Sequence, residues 1–176
     1  VTAVEGDAPS EPAAPRPDDA PAGVAATGRL AAVEVLYRAE AARLSRSLYG
    51  YTASRAVTED AVAEAFTQLI RRGDEVRDPR AWLWRAAFKI AAGDLQRQRR
   101  DTNELVVDIA HELPEDRAVD LARALQQLSD MQRKAVVLHD YAGHPAAEVA
   151  RIAGSTEAAV RVHLMRGRRR LRALLG

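Results

Sequence analysis

The 176-residue chain contains no cysteine. Disulfides, thiolate zinc sites and a cysteine nucleophile are therefore excluded within it. Aromatic residues supply only 5% of the sequence, and strand-forming residues are sparse beside Ala and Leu. That balance favours small all-α units over sheets. No apolar run approaches the roughly 20 residues that cross a bilayer, so no membrane insertion is expected. The first residues lack a basic start followed by an apolar core, so no secretory signal is expected and the cytoplasm is the expected compartment. Neither a glycine-rich phosphate loop nor a Ser-His-Asp arrangement in a recognisable setting is present. No catalytic residue and no cofactor are expected. His139, Asp140 and His144 are suitable ligand types for a metal, but no fourth ligand accompanies them and His144 enters a turn before Pro145. No metal site is expected either.

Charge is present but unevenly spread. The net charge is +1, yet residues 1–28 hold five acids (Glu5, Asp7, Glu11, Asp18, Asp19) against one base, Arg16. The remainder is therefore basic, a separation that points to a nucleic-acid surface and a detached acidic tail. Residues 1–28 also hold five of the eight prolines and almost no large apolar side chain. Such a segment buries too little surface to offset its ordering entropy, so it is expected to be disordered.

From Leu30, helical spacing appears in Val33, Leu36, Tyr37, Leu44 and Leu48, with Gly50 and the polar Thr52–Ser54 region as the expected end. Thr58 is the expected N-cap of a second helix that runs to about Arg72. Val62, Phe66, Leu69 and Ile70 should face inward, and Asp60, Glu64, Thr67, Gln68 and Arg71 outward. A third helix is expected from Arg80 to Arg100 with Trp82, Ala86, Ile90 and Leu95 inward. Trp84, Arg85, Phe88 and Lys89 include its exposed positions, and Arg97, Arg99 and Arg100 give it a basic end. For Trp84, exposure and partial burial against the preceding helix both fit. Residues 101–118 show no amphipathic face and read as an acidic linker. Helices resume near Val119 (Leu121, Ala124, Leu125, Leu128) and at Ser129 (Val136, Val137, Leu138).

The last stretch carries the clearest pattern. Pro145 suits the start of a short helix, Gly154 its left-handed end, and Ser155 or Thr156 the cap of a longer one. On that longer helix Val160, Leu164, Gly167 and Leu171 share one stripe. Ala158, Arg161, Val162, Met165 and Arg169 share the opposite face, flanked by Arg166. Between Arg161 and Arg172 stand six arginines, one histidine and no acid. A helix-turn-helix presents such a helix to the DNA major groove; a solvated or partner-binding basic helix has the same pattern.

Together the two halves resemble the bacterial sigma-70 family, extracytoplasmic-function group. Asp60-Ala61-Val62-Ala63-Glu64-Ala65-Phe66 is similar to the family's acidic polymerase-binding helix. Arg80-Ala81-Trp82-Leu83-Trp84-Arg85 is similar to the entry of its promoter helix. Leu128-Ser129-Asp130-Met131-Gln132-Arg133, Glu148-Val149-Ala150, Gly154, Val160, Leu164 and Arg166 resemble region 4. The resemblance implies two helical domains, region 2 over 29–100 and region 4 over 119–176, joined by the 101–118 linker. It implies core RNA polymerase and promoter DNA as partners, an anti-sigma factor as a further one, and no covalent chemistry. Asp60, Glu64, Thr67 and Gln68 are then the expected polymerase contacts. Trp84, Arg85, Phe88, Lys89, Arg97, Arg99 and Arg100 are expected at the −10 element. Ser155, Thr156, Ala158, Arg161, Val162, Met165, Arg166 and Arg169 are expected at the −35 element. Trp82 is expected in the core. The competing reading is a stand-alone helix-turn-helix repressor or activator, for which the acidic helix and the Trp-Leu-Trp segment have no use.

Overall fold

Alanine dominates the stretch before Leu30, and alanine is the strongest helix former. In the computed structural model, which describes residues 22–102 and 116–176, the first helix α1 accordingly runs Ala22–Thr52. Residues 22–28, expected in the disordered tail, are thus helical; the rest of that tail lies outside the described residues. α1 ends within the expected Thr52–Ser54 region, with Gly50 still inside the helix. Gly50 faces the C-terminal half, where a Cβ on it would stand 3.8 Å from Val137 Cγ2. The helix ends at Ala53, which adopts a left-handed φ of 51°.

Ser54, with an extended φ of −135°, caps α2 (Arg55–Arg72) by accepting from the Val57 N–H. Thr58, the expected cap, sits a turn inside α2 and donates to the Ser54 carbonyl at 2.8 Å. Ser54 comes first in the chain with cap geometry, and Thr58 is left to satisfy its hydroxyl internally. Val57, Ala61, Val62, Ala65, Phe66 and Leu69 are buried on α2. Ile70 is 47% exposed, contrary to expectation, because it lies 100° round the helix from Leu69. A 3₁₀ turn, Gly73–Glu75, leads to α3 (Pro79–Thr102). The Asp78 carboxylate accepts the Ala81 N–H at 3.0 Å and fixes this start.

The C-terminal half comprises α4 (Asp116–Gln126), α5 (Asp130–Val136), one π turn (Val137–Tyr141), α6 (Ala146–Ala153) and α7 (Glu157–Leu175). Ser129 and Gln132 form a reciprocal capping box at α5. Gly154 ends α6 at φ 65°, as its position suggests. Gly167 allows α7 to approach α5: a Cβ there would meet Val136 Cγ2 at 3.0 Å. Leu121 is 43% exposed, while Ala124, Leu125 and Leu128 are buried. Of the expected linker, 101–102 belong to α3 and 116–118 to α4; residues 103–115 lie outside the described residues.

One hydrophobic core runs through both halves, from Leu44, Leu48 and Phe88 to Leu138, Val149 and Val160. Polar contacts reinforce it. The Tyr51 hydroxyl donates to Asp130 at 2.5 Å. Arg133 is only 3% exposed and donates to the carbonyls of Tyr51, Gln126 and Leu128 at 3.1–3.3 Å. Buried carbonyls left without donors are costly, so this one guanidinium holds α1 and the α4–α5 turn together. Among the described residues there is no strand, and no helix is long and apolar enough to cross a membrane.

Candidate nucleic-acid interface

Thr156 opens α7, its Oγ1 accepting the Ala159 N–H at 3.2 Å. Ser155, which the sequence left as an equal choice, stands half-exposed beside it. Val160, Leu164 and Gly167 are buried, so the rotation of the helix sets Ala158, Arg161, Val162, Met165, Arg166 and Arg169 outward. All six are exposed. Arg161 lies 2.5 Å from Glu157 one turn earlier. Arg168 is taken by Asp140 of the π turn through two hydrogen bonds. Arg166 and Arg169 form no ion pair among the described residues. An unpaired guanidinium keeps five donors free for an anion. His139 and His144, grouped with Asp140 in the sequence, diverge from it: His139 Nδ1 lies 2.7 Å from the His144 carbonyl, and the His144 ring turns toward Glu148.

A second basic surface lies between α2 and α3. It is a groove of about 770 Å³ lined by Glu64, Gln68, Arg72, Trp82, Arg85, Lys89 and Arg97, among others. Two groups of residues expected to serve different partners thus share one groove. Arg85 and Lys89 are exposed with no ion pair among the described residues, while Arg97 pairs with Asp94. Arg100 is exposed at the helix end; the Arg99 side chain lies outside the described ones. Glu64 accepts from Gln68 at 2.7 Å and lies 3.4 Å from Arg71. The Thr67 hydroxyl turns back to the Ala63 carbonyl at 2.8 Å. Only Asp60 of the acidic helix face is exposed without a partner among the described residues.

Of the two readings open for Trp84 the buried one holds, and Trp82 departs from its expected place. Trp84 is fully buried and Phe88 2% exposed, so neither presents a face to DNA in this arrangement. Trp82, expected in the core, is half-buried and lines the groove, with the Arg72 guanidinium 5.6 Å from its ring centre. The cause is tertiary. α3 packs against α1 and α2 on one side and against α6 on another, and the stripe Leu83, Trp84, Ala87, Phe88, Ala91 and Leu95 meets both.

Around Trp84 a polar chain, with Arg80 half-exposed, joins three helices. The Trp84 Nε1–H donates to Glu40 of α1 at 2.9 Å, and Arg80 of α3 donates to the other Glu40 oxygen at 2.7 Å. Arg80 also reaches Glu148 of α6 at 3.3 Å. The His144 ring stands edge-on to Trp84, 4.3 Å between centres. Its Nδ1 is 3.0 Å from Glu148 Oε2, yet neither ring nitrogen is aligned for a hydrogen bond. Burial pushes the Glu40 carboxyl up, but the bonds from Arg80 and Trp84 outweigh it and hold it below its ordinary value. For His144, burial outweighs Glu148 and depresses the imidazole below its ordinary 6.5.

That depression fixes the sign of an acid effect. The native state holds the His144 proton less well than the unfolded chain, so its contribution is full above 6.5 and is lost as pH falls below it. Arg43 and Glu40 on α1, Arg80 on α3 and Glu148 on α6 face this site. Two cations and two carboxylates already balance, so a proton on His144 leaves an uncompensated buried charge. The expected result is a lower melting temperature at about pH 5.5 than at about pH 7.5. The drop should shrink in His144→Gln; an equal drop in that variant assigns it to other groups.

Residues 118–171 match the sequence profile of sigma-70 region 4. Over 141 residues the chain is 34% identical to the ECF RNA polymerase sigma factor SigJ of Mycobacterium tuberculosis, covering 71% of this chain and 45% of that protein. The chain thus spans under half the length of that relative. The crystal structure of SigJ superposes with a TM-score of 0.52 at 30% identity, over 73% of this chain and 49% of that one. The structure of CnrH in complex with the cytosolic domain of CnrY gives a TM-score of 0.68 at 25% identity, over 87% of this chain and 93% of that one. RpoE from Bartonella quintana, solved with the anti-sigma factor NepR, shares the fold: TM-score 0.66 at 21% identity, over 75% and 89% of the two chains.

Proposed function

The chain is a relative of the extracytoplasmic-function sigma factors with a sigma-70 region 4 at its C-terminal end, and from that premise we propose that it binds core RNA polymerase and directs promoter-specific initiation. The carrying observation is the outward face of α7, an exposed strip of Ala158, Arg161, Val162, Met165, Arg166 and Arg169 behind a capped turn. A helix so held can enter the major groove at the −35 element, where arginine bridges guanine O6 and N7. The α2–α3 groove is the −10 surface. Arg85, Lys89, Arg97 and Arg100 bind backbone phosphates there, while Trp84 and Phe88 are buried in the core and make no DNA contact. Residues 29–100 and 119–176 are the two working units, acting in the cytoplasm. No catalysis by the chain is involved. An anti-sigma protein is a further partner, as the sequence resemblance implies.

Asp60 and its neighbours on α2 are the polymerase contact. Reversing charge in Asp60→Arg is expected to weaken core binding about tenfold, since one lost charge pair at an interface costs roughly 1–2 kcal/mol. Glu64→Arg should cost less, because Gln68 and Arg71 already engage that carboxylate. A pull-down titration with core polymerase measures both. Unchanged affinity in Asp60→Arg makes this face a merely solvated one.

A further inference from the structure

We infer that Asp140 is a positioning residue for DNA binding: by holding Arg168 against the π turn it withholds that cation from the DNA backbone and so limits sequence-independent affinity. The inference rests on the promoter reading above and gives that reading a working residue outside α7.

Position supplies the first argument. Arg168 follows Arg161 by seven residues, about 20° short of two full turns, so it shares that side of α7 about 10.5 Å further along. A guanidinium there is suited to a backbone phosphate. Arg168 is nevertheless engaged before any duplex arrives. Its Nε donates to Asp140 Oδ2 at 3.0 Å and its Nη2 to Oδ1 at 2.5 Å. Such a two-point pair fixes orientation as well as charge. Arg161 is paired too, but with Glu157 of its own helix. Among the described residues, Arg168–Asp140 is the one ion pair that joins α7 to another element.

The backbone that presents Asp140 supplies the second. The Ala142 N–H donates to the Val137 carbonyl and the His144 N–H to the Leu138 carbonyl, both at 2.9 Å. These wide loops belong to the π turn. Its extra residue moves Asp140 round the axis from where an α-helix would set it, and π segments recur at functional sites. From the other side, Gly167 lets α7 close on α5, where a Cβ would meet Val136 Cγ2 at 3.0 Å. Arg168 is the next residue. A surface ion pair is worth little when nothing fixes its two long side chains; here both backbones are fixed by packing.

The consequence is a matter of counterions. A freed Arg168 adds one phosphate contact, which steepens the salt dependence of binding by about 0.9 in slope. That contact carries no sequence information. Withholding it leaves less of the chain on the roughly million or more competing sites of a genome and more of it available to core polymerase.

Complexes of the full chain with core polymerase are titrated with two DNAs. One is a duplex that the wild type enriches from a randomised −35 library, the other a random-sequence duplex. Asp140→Ala should bind both severalfold more tightly than the wild type, with their ratio unchanged and the slope steeper by about 0.9. Asp140→Glu keeps the pair and should behave as the wild type. Glu34→Ala adds the same net charge by freeing Arg38 on α1 and should change neither affinity. Equal or weaker binding by Asp140→Ala overturns the inference and makes the pair a structural clamp. An equal gain in Glu34→Ala also overturns it, since whole-chain charge then accounts for the effect. Asp140→Asn keeps the side-chain shape without the charge; if Asp140→Ala does not fold, a gain in Asp140→Asn upholds the inference and no gain overturns it. A wild-type complex that enriches no sequence sinks the promoter reading itself, and the inference with it.

Discussion

Trp84→Ala is expected to lower the unfolding free energy by about 3–5 kcal/mol, the range for deleting a buried aromatic. Trp84 is fully buried and serves three neighbours at once. It stacks near Phe88 at 6.2 Å between centres, meets the His144 ring and donates to Glu40. Alanine leaves a cavity between three helices and removes one of the two donors that hold the Glu40 carboxylate. For a chain of this size each kcal/mol shifts the melting temperature by about 2–4 °C, so a fall of roughly 10 °C is expected. Trp84→Phe should lose less, because packing is largely kept and only the indole donor goes. Thermal and urea melts measure both. A loss under about 1 kcal/mol in Trp84→Ala would mean that the junction repacks freely, against its role as the floor of both halves.

Arg161→Ala is expected to weaken binding to the −35 element by about 1–3 kcal/mol, roughly 5- to 150-fold, the discrimination range of one bidentate arginine–guanine pair. Its guanidinium is exposed on the outward face of α7, where Glu157 holds it 2.5 Å away. That carboxylate orients the side chain before DNA arrives; once Arg161 is removed, it is left facing the duplex. The loss should therefore be accompanied by a changed base preference at one position. Binding measured across a randomised −35 library separates the outcomes. A loss uniform across sequences, with a salt slope shallower by about one, makes Arg161 a phosphate contact instead.

What the sequence disclosed divides along physical lines. The helix-turn-helix was legible because local rules dictate it. Gly154 needs a left-handed φ, Thr156 a cap, and Val160, Leu164 and Gly167 a common stripe; each is settled within one or two turns of chain. Ser129 and Gln132 were equally local. The two tryptophans were not. α3 carries apolar residues on two adjoining stripes, and which one is buried deeper depends on α6, some 60 residues further on. The His144–Glu148–Arg80–Glu40 chain joins α1, α3 and α6, and no spacing in the sequence foretells it. The start of α1 was missed because prolines and acids up to residue 21 masked the alanine-rich helix former behind them. The π turn at Val137–Tyr141 had no signal at all, since its residues fit an ordinary helix as well.

Run-off transcription with purified core polymerase on a promoter library tests the central claim most directly. The account predicts that the full chain binds core and yields transcripts from templates sharing two elements about 25 base pairs apart, and that Asp60→Arg diminishes them through weaker core binding. Folded protein that binds DNA through α7 yet neither associates with core nor initiates on any template would contradict it, and would identify the chain as a stand-alone helix-turn-helix regulator.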